Sequence, residues 1–256
     1  MLEDLELASH LALTASNALD TFKKENPIPS ELSKRKQYGK DADKYSHNLL
    51  MKEFEKYRPD DLVLSEEGED PKKRLESSRC WIIDPLDGTF YFANDRKDYA
   101  VHIALWEKVS NELSKISVAV VGMPAYGKIY TSASVKNVDS VNKIPRLLVS
   151  GSRPPLEMPK IIEHFDEKFG GLEVKSVGSV GAKVVQIIEG NADFYVHTTG
   201  FYEWDLAAPL AIAHKAGLVV CDKSGEEIKL NKENLRVENV IVCKKELLEV
   251  ILQAVS

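Results

Sequence analysis

Apolar residues recur through the first two dozen positions at alternating spacings of three and four: Leu5, Ala8, Ala12, Ala15, Leu19 and Phe22. That is the period of one helical face, and it predicts an amphipathic helix ending before Asn26-Pro27-Ile28-Pro29. From Lys23 to about Asp41 the chain is polar, which predicts a mobile surface loop made basic by Lys34, Arg35, Lys36 and Lys40. It reads either as a solvated loop or as a lid over an anionic ligand. Tyr45, Leu49, Leu50, Phe54 and Tyr57 resume the helical period, and Leu62-Val63-Leu64 is a short strand running into Ser65-Glu66-Glu67-Gly68. Strands follow at Cys80–Ile83, Tyr99–Trp106, Ile116–Val121 and Lys128–Thr131, the last two flanking a hairpin at Met123–Gly127. The first half thus predicts a largely antiparallel sheet with helices against it.

Beyond that point the pattern alternates. Arg146–Val149 is a strand and Ile161–Phe165 lies in a helix; Val180–Glu189 is a helix stopped at Gly190-Asn191, and Asp193–His197 is another strand. Trp204–His214 is a helix with Pro209 near its first turn, stopped at Gly217. Leu218–Cys221 and Val240–Cys243 close a second sheet before a terminal helix, Lys244–Val255. The expected organisation is an N-terminal α+β half, 1–145, and a C-terminal α/β half, 146–256, forming one compact unit.

Everything else supports one stretch, Cys80-Trp81-Ile82-Ile83-Asp84-Pro85-Leu86-Asp87-Gly88-Thr89, an apolar strand ending in a polar turn. Asp84 falls at the carboxyl end of the strand, where open α/β sheets place ligands. Pro85 fixes its own φ and biases Asp84 toward an extended conformation, so Asp84 and Asp87 can face one cation. Gly88 admits a close approach, and Gly88-Thr89-Phe90 can open a short helix whose free N–H groups meet a phosphate.

Composition narrows the class. Of 256 residues, 43% are hydrophobic and 29% charged, ordinary for a soluble globular protein, and no run approaches the roughly 20 apolar residues of a membrane span. Leu2-Glu3-Asp4-Leu5-Glu6 is acidic where a secretory signal is basic, which points to the cytoplasm. A net charge of −6 argues against a nucleic acid polymer as partner and leaves room for a small phosphate ester on a local basic patch. Cys80, Cys221 and Cys243 are odd in number and lie in apolar runs, which fits reduced core residues. His102, His197 and His214 read as core histidines.

Asp43, Glu66, Glu67, Asp84, Asp87 and Asp205 all stand at predicted element ends. Each alone reads as a cap or a solvated carboxylate. Brought together they would repel unless cations were bound, and all-oxygen ligands with open water positions suit Mg²⁺.

Trp81–Thr89, with Glu66-Glu67 upstream and Trp204-Asp205-x-Ala207-Ala208 downstream, resembles the inositol monophosphatase superfamily of Mg²⁺-dependent, lithium-sensitive phosphatases. The similarity runs from about Asp43 to Gly217. It implies a layered α-β-α-β-α sandwich of the inositol monophosphatase and fructose-1,6-bisphosphatase type, two or three Mg²⁺ ions per site and, as is common in the family, a homodimer. Residue by residue, it implies that Glu66, Asp84 and the Leu86 carbonyl hold one metal and that Asp84, Asp87 and Asp205 hold a second. Glu67 and Thr89 would position the attacking water. Asp43 would be the further acidic residue near a third metal, although it stands in Lys40-Asp41-Ala42-Asp43 where the family has a Val-Thr-x-x-Asp run. The N–H groups of Gly88 and Thr89 would take the phosphate.

Within the superfamily the residues around the site resemble the CysQ group of 3′-phosphoadenosine 5′-phosphate phosphatases. Thr198 stands six positions before Trp204, where inositol-specific members have an acidic residue. Gly178-Ser179-Val180-Gly181-Ala182-Lys183 is similar to the group's Gly-Ser-Ser-Leu-Lys segment, in which Ser179 and Lys183 could meet a second phosphate; a solvated helix lysine is the plain alternative. Tyr202 or Phe201 could stack on adenine or simply pack in the core, and Arg153, after Ser150, could grip a 5′-phosphate. The expected activity is a 3′(2′),5′-bisphosphate nucleotidase of sulfur assimilation that uses metal-activated water. An inositol-1-phosphate or fructose-1,6-bisphosphate phosphatase, and a non-catalytic Mg²⁺-dependent binding protein, are the competing readings.

Overall fold

The computed structural model describes residues 2–110, 113–138, 140–151 and 153–256. Two long helices open the chain, α1 (Asp4–Glu25) and α2 (Leu32–Tyr57). The apolar stripe read from the sequence is the buried face of α1, with Leu7, Leu11, Ala15 and Leu19 inside. α2 corrects the expected loop, because Lys34 to Lys40 is helical. Leu, Lys, Arg and Gln are good helix formers even without an apolar face, so polarity there marks a solvated helix and not an unstructured connection. Tyr38 anchors this part of α2, stacked on Phe92 at 5.9 Å.

The first sheet follows: β1 (Val63–Ser65), β2 (Arg79–Asp87), the short helix α3 (Thr89–Ala93), then β3 (Ala100–Lys108), β4 (Ser114–Met123) and β5 (Lys128–Thr131), in spatial order β1-β2-β3-β4-β5. β1 runs parallel to β2, and the remaining pairs are antiparallel. The β2–β3 register breaks between Asp84 and Asp87. Pro85 has no N–H to give the ladder, so the pairing is interrupted between the two carboxylates and resumes at Asp87, opposite Ala100.

The second half supplies β6 (Arg146–Val149), α4 (Met158–Phe169), β7 (Glu173–Ser176), α5 (Val180–Ile188), β8 (Phe194–His197), β9 (Phe201–Tyr202), α6 (Glu203–Lys215), β10 (Val219–Cys221), β11 (Arg236–Val237), β12 (Val240–Cys243) and α7 (Leu248–Val255). Its main sheet has the order β10-β12-β8-β6-β7. β7 carries no hydrophobic signal because all four of its residues are exposed. The terminal helix starts later than expected, at Leu248 after a single 3-10 turn, because Lys244 is drawn inward to Asp193 at 2.7 Å. Pro209 sits well inside α6, not in its first turn, and removes the N–H that would bond the Asp205 carbonyl.

Three hydrophobic clusters mark the layers. One joins α1 and α2 to one face of the first sheet. A second joins the other face to α5, α6 and one face of the second sheet. The third packs α4 and α7 on the outer face of the second sheet. The result is the α-β-α-β-α sandwich, with α5 and α6 as its middle layer. Cys80, Cys221 and Cys243 are free and buried within it.

Candidate active site

Four elements deliver carboxylates to one place. Asp43 comes from the middle of α2, Glu66 and Glu67 follow β1, Asp84 and Asp87 end β2, and Asp205 lies in the first turn of α6. Asp43, Glu66 and Glu67 have carboxylate oxygens within 4.8 Å of one another, and so do Glu66, Asp84 and Asp205. Glu66 belongs to both groups. Asp87 falls outside both, although its charge acts on Glu66, Asp84 and Asp205.

The aspartates share one arrangement: one oxygen is held by the protein and the other is left over. Asp84 accepts the Leu86 N–H at 2.9 Å on Oδ1, and its Oδ2 is buried without a partner. Asp43 accepts the Thr89 hydroxyl at 3.4 Å on Oδ2, while its buried Oδ1 has none. Asp205 accepts the Tyr202 N–H at 2.8 Å on Oδ2. Asp87 uses Oδ2 for the N–H groups of Val180 at 2.6 Å and Gly181 at 3.2 Å, so it caps α5 and ties the turn after β2 to the middle layer. Held oxygens fix each carboxylate before a ligand arrives.

The electrostatics match. Burial, then the charges of Glu66 and Glu67, pushes the Asp43 carboxyl well above the usual range. Burial raises Asp84 in the same way, followed by repulsion from Glu66 and Asp87, and Asp205 rises through burial and Asp87. Glu66 is open to solvent on one side; desolvation of the rest, then Asp87 and Glu67, brings it to about 7. Orphaned buried oxygens and mutually raised carboxyls are what an all-oxygen donor set shows when it is shaped for a hard cation.

The turn is pinned from several sides. The Ser46 hydroxyl donates to the Pro85 carbonyl at 3.0 Å, Lys44 Nζ to the Glu67 carbonyl at 3.2 Å, and Thr89 Oγ1 to the Leu86 carbonyl at 3.2 Å. Gly88 holds φ at 92°, a left-handed conformation that other residues adopt at a cost, and a side chain there would press on Ser179 and Tyr99. Ser46 and Lys44 left no signal in the sequence, since they lie three residues and one residue after Asp43 and nothing local marks their partners at 67 and 85.

His102 is buried as expected, but it is not a bystander. Its Nε2 lies 3.3 Å from Asp87 Oδ2, and its Nδ1 is 3.3 Å from the Trp204 carbonyl. His197 is also buried, stacked on Phe201 at 3.9 Å, and burial, followed by Arg153 and Lys183, lowers it to about 3. His214 departs from the expectation: it is exposed on the outer turn of α6.

The residues expected to meet the rest of a substrate divide. Tyr202 is exposed at the rim and stacks on Trp204 at 4.8 Å and 12° beside Asp205. Arg153 is exposed, 5.6 Å from the Phe201 ring centre, with Nη1 donating to the Gly200 carbonyl at 3.4 Å. Ser150 is buried at the end of β6. Ser179 is buried and caps α5, accepting the Ala182 N–H at 2.9 Å. Lys183 is no solvated lysine: it is 1% exposed, and its Nζ donates to the Val177 and Gly178 carbonyls and lies 4.8 Å from the Tyr195 ring centre. Burial lowers its ammonium to about 8. Thr198 donates to Glu157 at 2.7 Å.

A five-layer sandwich that gathers spare carboxylate oxygens from two strand ends and two helices is an architecture that could hold hard cations. The model of the inositol monophosphatase family matches residues 3–256. The chain is 36% identical over 223 residues to the 3′-phosphoadenosine 5′-phosphate phosphatase of Mycobacterium tuberculosis, covering 85% of this chain and 82% of that one. It is 30% identical over 197 residues to the 3′(2′),5′-bisphosphate nucleotidase CysQ of Escherichia coli, covering 73% and 77%. The crystal structure of CysQ from Bacteroides thetaiotaomicron superposes with a TM-score of 0.77 at 25% identity, over 93% of this chain and 96% of that one. The chain belongs to the inositol monophosphatase family and is a phosphatase of that family. Among the described residues no helix is long and apolar enough to cross a membrane.

Proposed function

We propose that this protein is a Mg²⁺-dependent phosphatase that converts 3′-phosphoadenosine 5′-phosphate to AMP and inorganic phosphate. The observation that carries the catalytic reading is the set of anchored aspartates around Glu66: Asp84 and Asp205 meet it in one group of oxygens, Asp43 meets it with Glu67 in the other, and Asp87 is held beside them by the start of α5. Glu66, Asp84, Asp87, Asp205 and the Leu86 carbonyl would hold the cations. Bound Mg²⁺ would supply Lewis acidity, making water more acidic and neutralising charge on the phosphate.

The chain's own groups do the rest. Glu67 and Asp43, with the Thr89 hydroxyl between Asp43 and the Leu86 carbonyl, orient the attacking water. The first N–H groups of α3, at Gly88 and Thr89, face the phosphate, since such amides have no partner within their helix. Water adds to phosphorus as the 3′ ester bond breaks, and the proton from water ends on the departing sugar oxygen or in solvent.

Substrate choice rests on the rim. The exposed Tyr202 ring, already stacked on Trp204, offers a flat face for adenine, and aromatic stacking on a base contributes roughly 1–3 kcal/mol. Arg153 would pair with a 5′-phosphate, with Ser150 as a further candidate contact, while Ser179 and Lys183 hold the start of α5 from behind. The names of the relatives point the same way. The test is phosphate release with Mg²⁺ from 3′-phosphoadenosine 5′-phosphate, inositol 1-phosphate and fructose 1,6-bisphosphate. We expect kcat/KM to favour the nucleotide by about 100-fold, roughly 2.7 kcal/mol of transition-state discrimination. Equal or better turnover of either sugar phosphate overturns the substrate, and no turnover of any overturns the enzyme.

A further inference from the structure

A cleft of about 360 Å³ lies away from the carboxylates, where the outer turns of α6 face the ends of β3 and β4 and the segment 227–230. Its volume falls in the range of small-molecule sites. The floor is apolar, made by Trp106, Ile116, Leu210 and Ile228. The rim is not: Lys115, Lys215 and Lys229 stand around it against one acidic residue, Glu227. Three cations less one anion leave a local charge of +2 on a chain whose net charge is −6. Among the described residues none of these three ammonium groups has a carboxylate partner within ion-pair distance. Unpaired like charges around apolar surface repel one another, and an anion with an apolar body relieves both conditions at once.

We propose that this cleft binds a small amphipathic anion, a carboxylate or sulfonate head on an aromatic or short acyl body. The head sits among the lysines and the body lies on the Trp106–Leu210 floor. Ala211, on the same stripe of α6, lets the body reach the helix.

The test uses the whole chain and two fluorescent probes with the same rings, 1-anilinonaphthalene-8-sulfonate and the uncharged N-phenyl-1-naphthylamine. We expect one saturable site per chain for the sulfonate, with the uncharged probe at least tenfold weaker. Ala211→Trp, which fills the cleft, and the double substitution Lys115→Glu/Lys229→Glu, which reverses its rim, are each expected to weaken the sulfonate at least tenfold with an unchanged circular dichroism spectrum. Should Ala211→Trp fail to fold, the rim reversal decides. Equal binding of the uncharged probe, an undiminished affinity in the variants, absence of saturable binding, or displacement of the sulfonate by Mg²⁺ with inorganic phosphate would each overturn the proposal.

Discussion

Asp84 is costly to the fold and, as a proposed metal ligand, necessary to the site. Its carboxylate is fully buried, its Oδ1 anchors the turn through Leu86, its Oδ2 has no hydrogen-bond partner, and the group lies within 4.8 Å of the Glu66 and Asp205 carboxylates. Asp84→Asn keeps an oxygen for the Leu86 amide and removes a buried charge. We expect phosphatase activity to fall by more than about 100-fold, beyond the loss typical of an outer-shell change. The melting temperature in EDTA is expected to be unchanged or higher, because repulsion from Glu66 is relieved. A large drop in melting temperature would instead make Asp84 a structural residue. The proposed role of Tyr202 is tested by comparing substrates. Tyr202→Ala is expected to raise KM for 3′-phosphoadenosine 5′-phosphate about tenfold, within the range of one lost base stack, while leaving kinetics on inositol 1-phosphate unaltered. Equal effects on both would remove the ring from base recognition.

Among the elements, α2 meets α3 only because Gly39 has no side chain. A Cβ there would lie 2.7 Å from Thr89 Cγ2 and 3.0 Å from the Thr89 carbonyl. Helix propensity alone favours Gly39→Ala by about 1 kcal/mol. Contact with Thr89 acts the other way, and it also displaces the residue that bonds Asp43. We therefore expect Gly39→Ala to lower both kcat and the melting temperature; a stabilised, fully active variant would show that the two helices separate freely. A second link is the buried pair of Asp193, just before β8, and Lys244, just after β12. Burial pushes the Asp193 carboxyl up, but hydrogen bonds from Lys244, Asn142 and the Arg146 amide outweigh it and leave the group below its ordinary value. A depressed folded value means stability that is present above the unfolded pKa and lost as pH falls through the folded one. Denaturant melts should therefore show a loss below about pH 4 that is absent in Asp193→Asn. Asp193→Ala, which strands Lys244 in the core, is expected to cost about 3–5 kcal/mol at neutral pH.

At the scale of the molecule, what could be read from the sequence follows periodicity and charge. The stripe of α1, the apolar runs of β3 and β4 and the run ending at Asp84 mark the elements, whereas the layered sandwich and the meeting of the carboxylates follow from the resemblance carried by Glu66-Glu67, Trp81–Thr89 and Trp204–Ala208. The start of α2 was not, because a solvated helix built from lysine and glutamine has the composition of a loop. Nor was β7, whose exposed residues carry no pattern. Lys183 was legible as a residue of interest but not as a buried strut, since only the fold places the 177–178 carbonyls over its ammonium. The clamps at Ser46, Lys44 and His102 depend on tertiary contacts that no local spacing encodes.

The three cysteines, described above only as core packing, make the protein its own reporter of opening. Cys80 lies in β2, whereas Cys221 and Cys243 lie in β10 and β12. Burial pushes the Cys80 thiol up to about 12 and raises the other two as well, so almost no reactive thiolate exists in the closed state. Alkylation by iodoacetamide must then wait for each sheet to expose its thiol, and mass spectrometry of the labelled peptides times the two sheets separately. Matching rates would mean that the halves 1–145 and 146–256 open as one cooperative unit. Faster labelling of Cys221 and Cys243, with Mg²⁺ slowing Cys80 alone, would mean that the second sheet can breathe while the turn at Asp84–Thr89 stays shut.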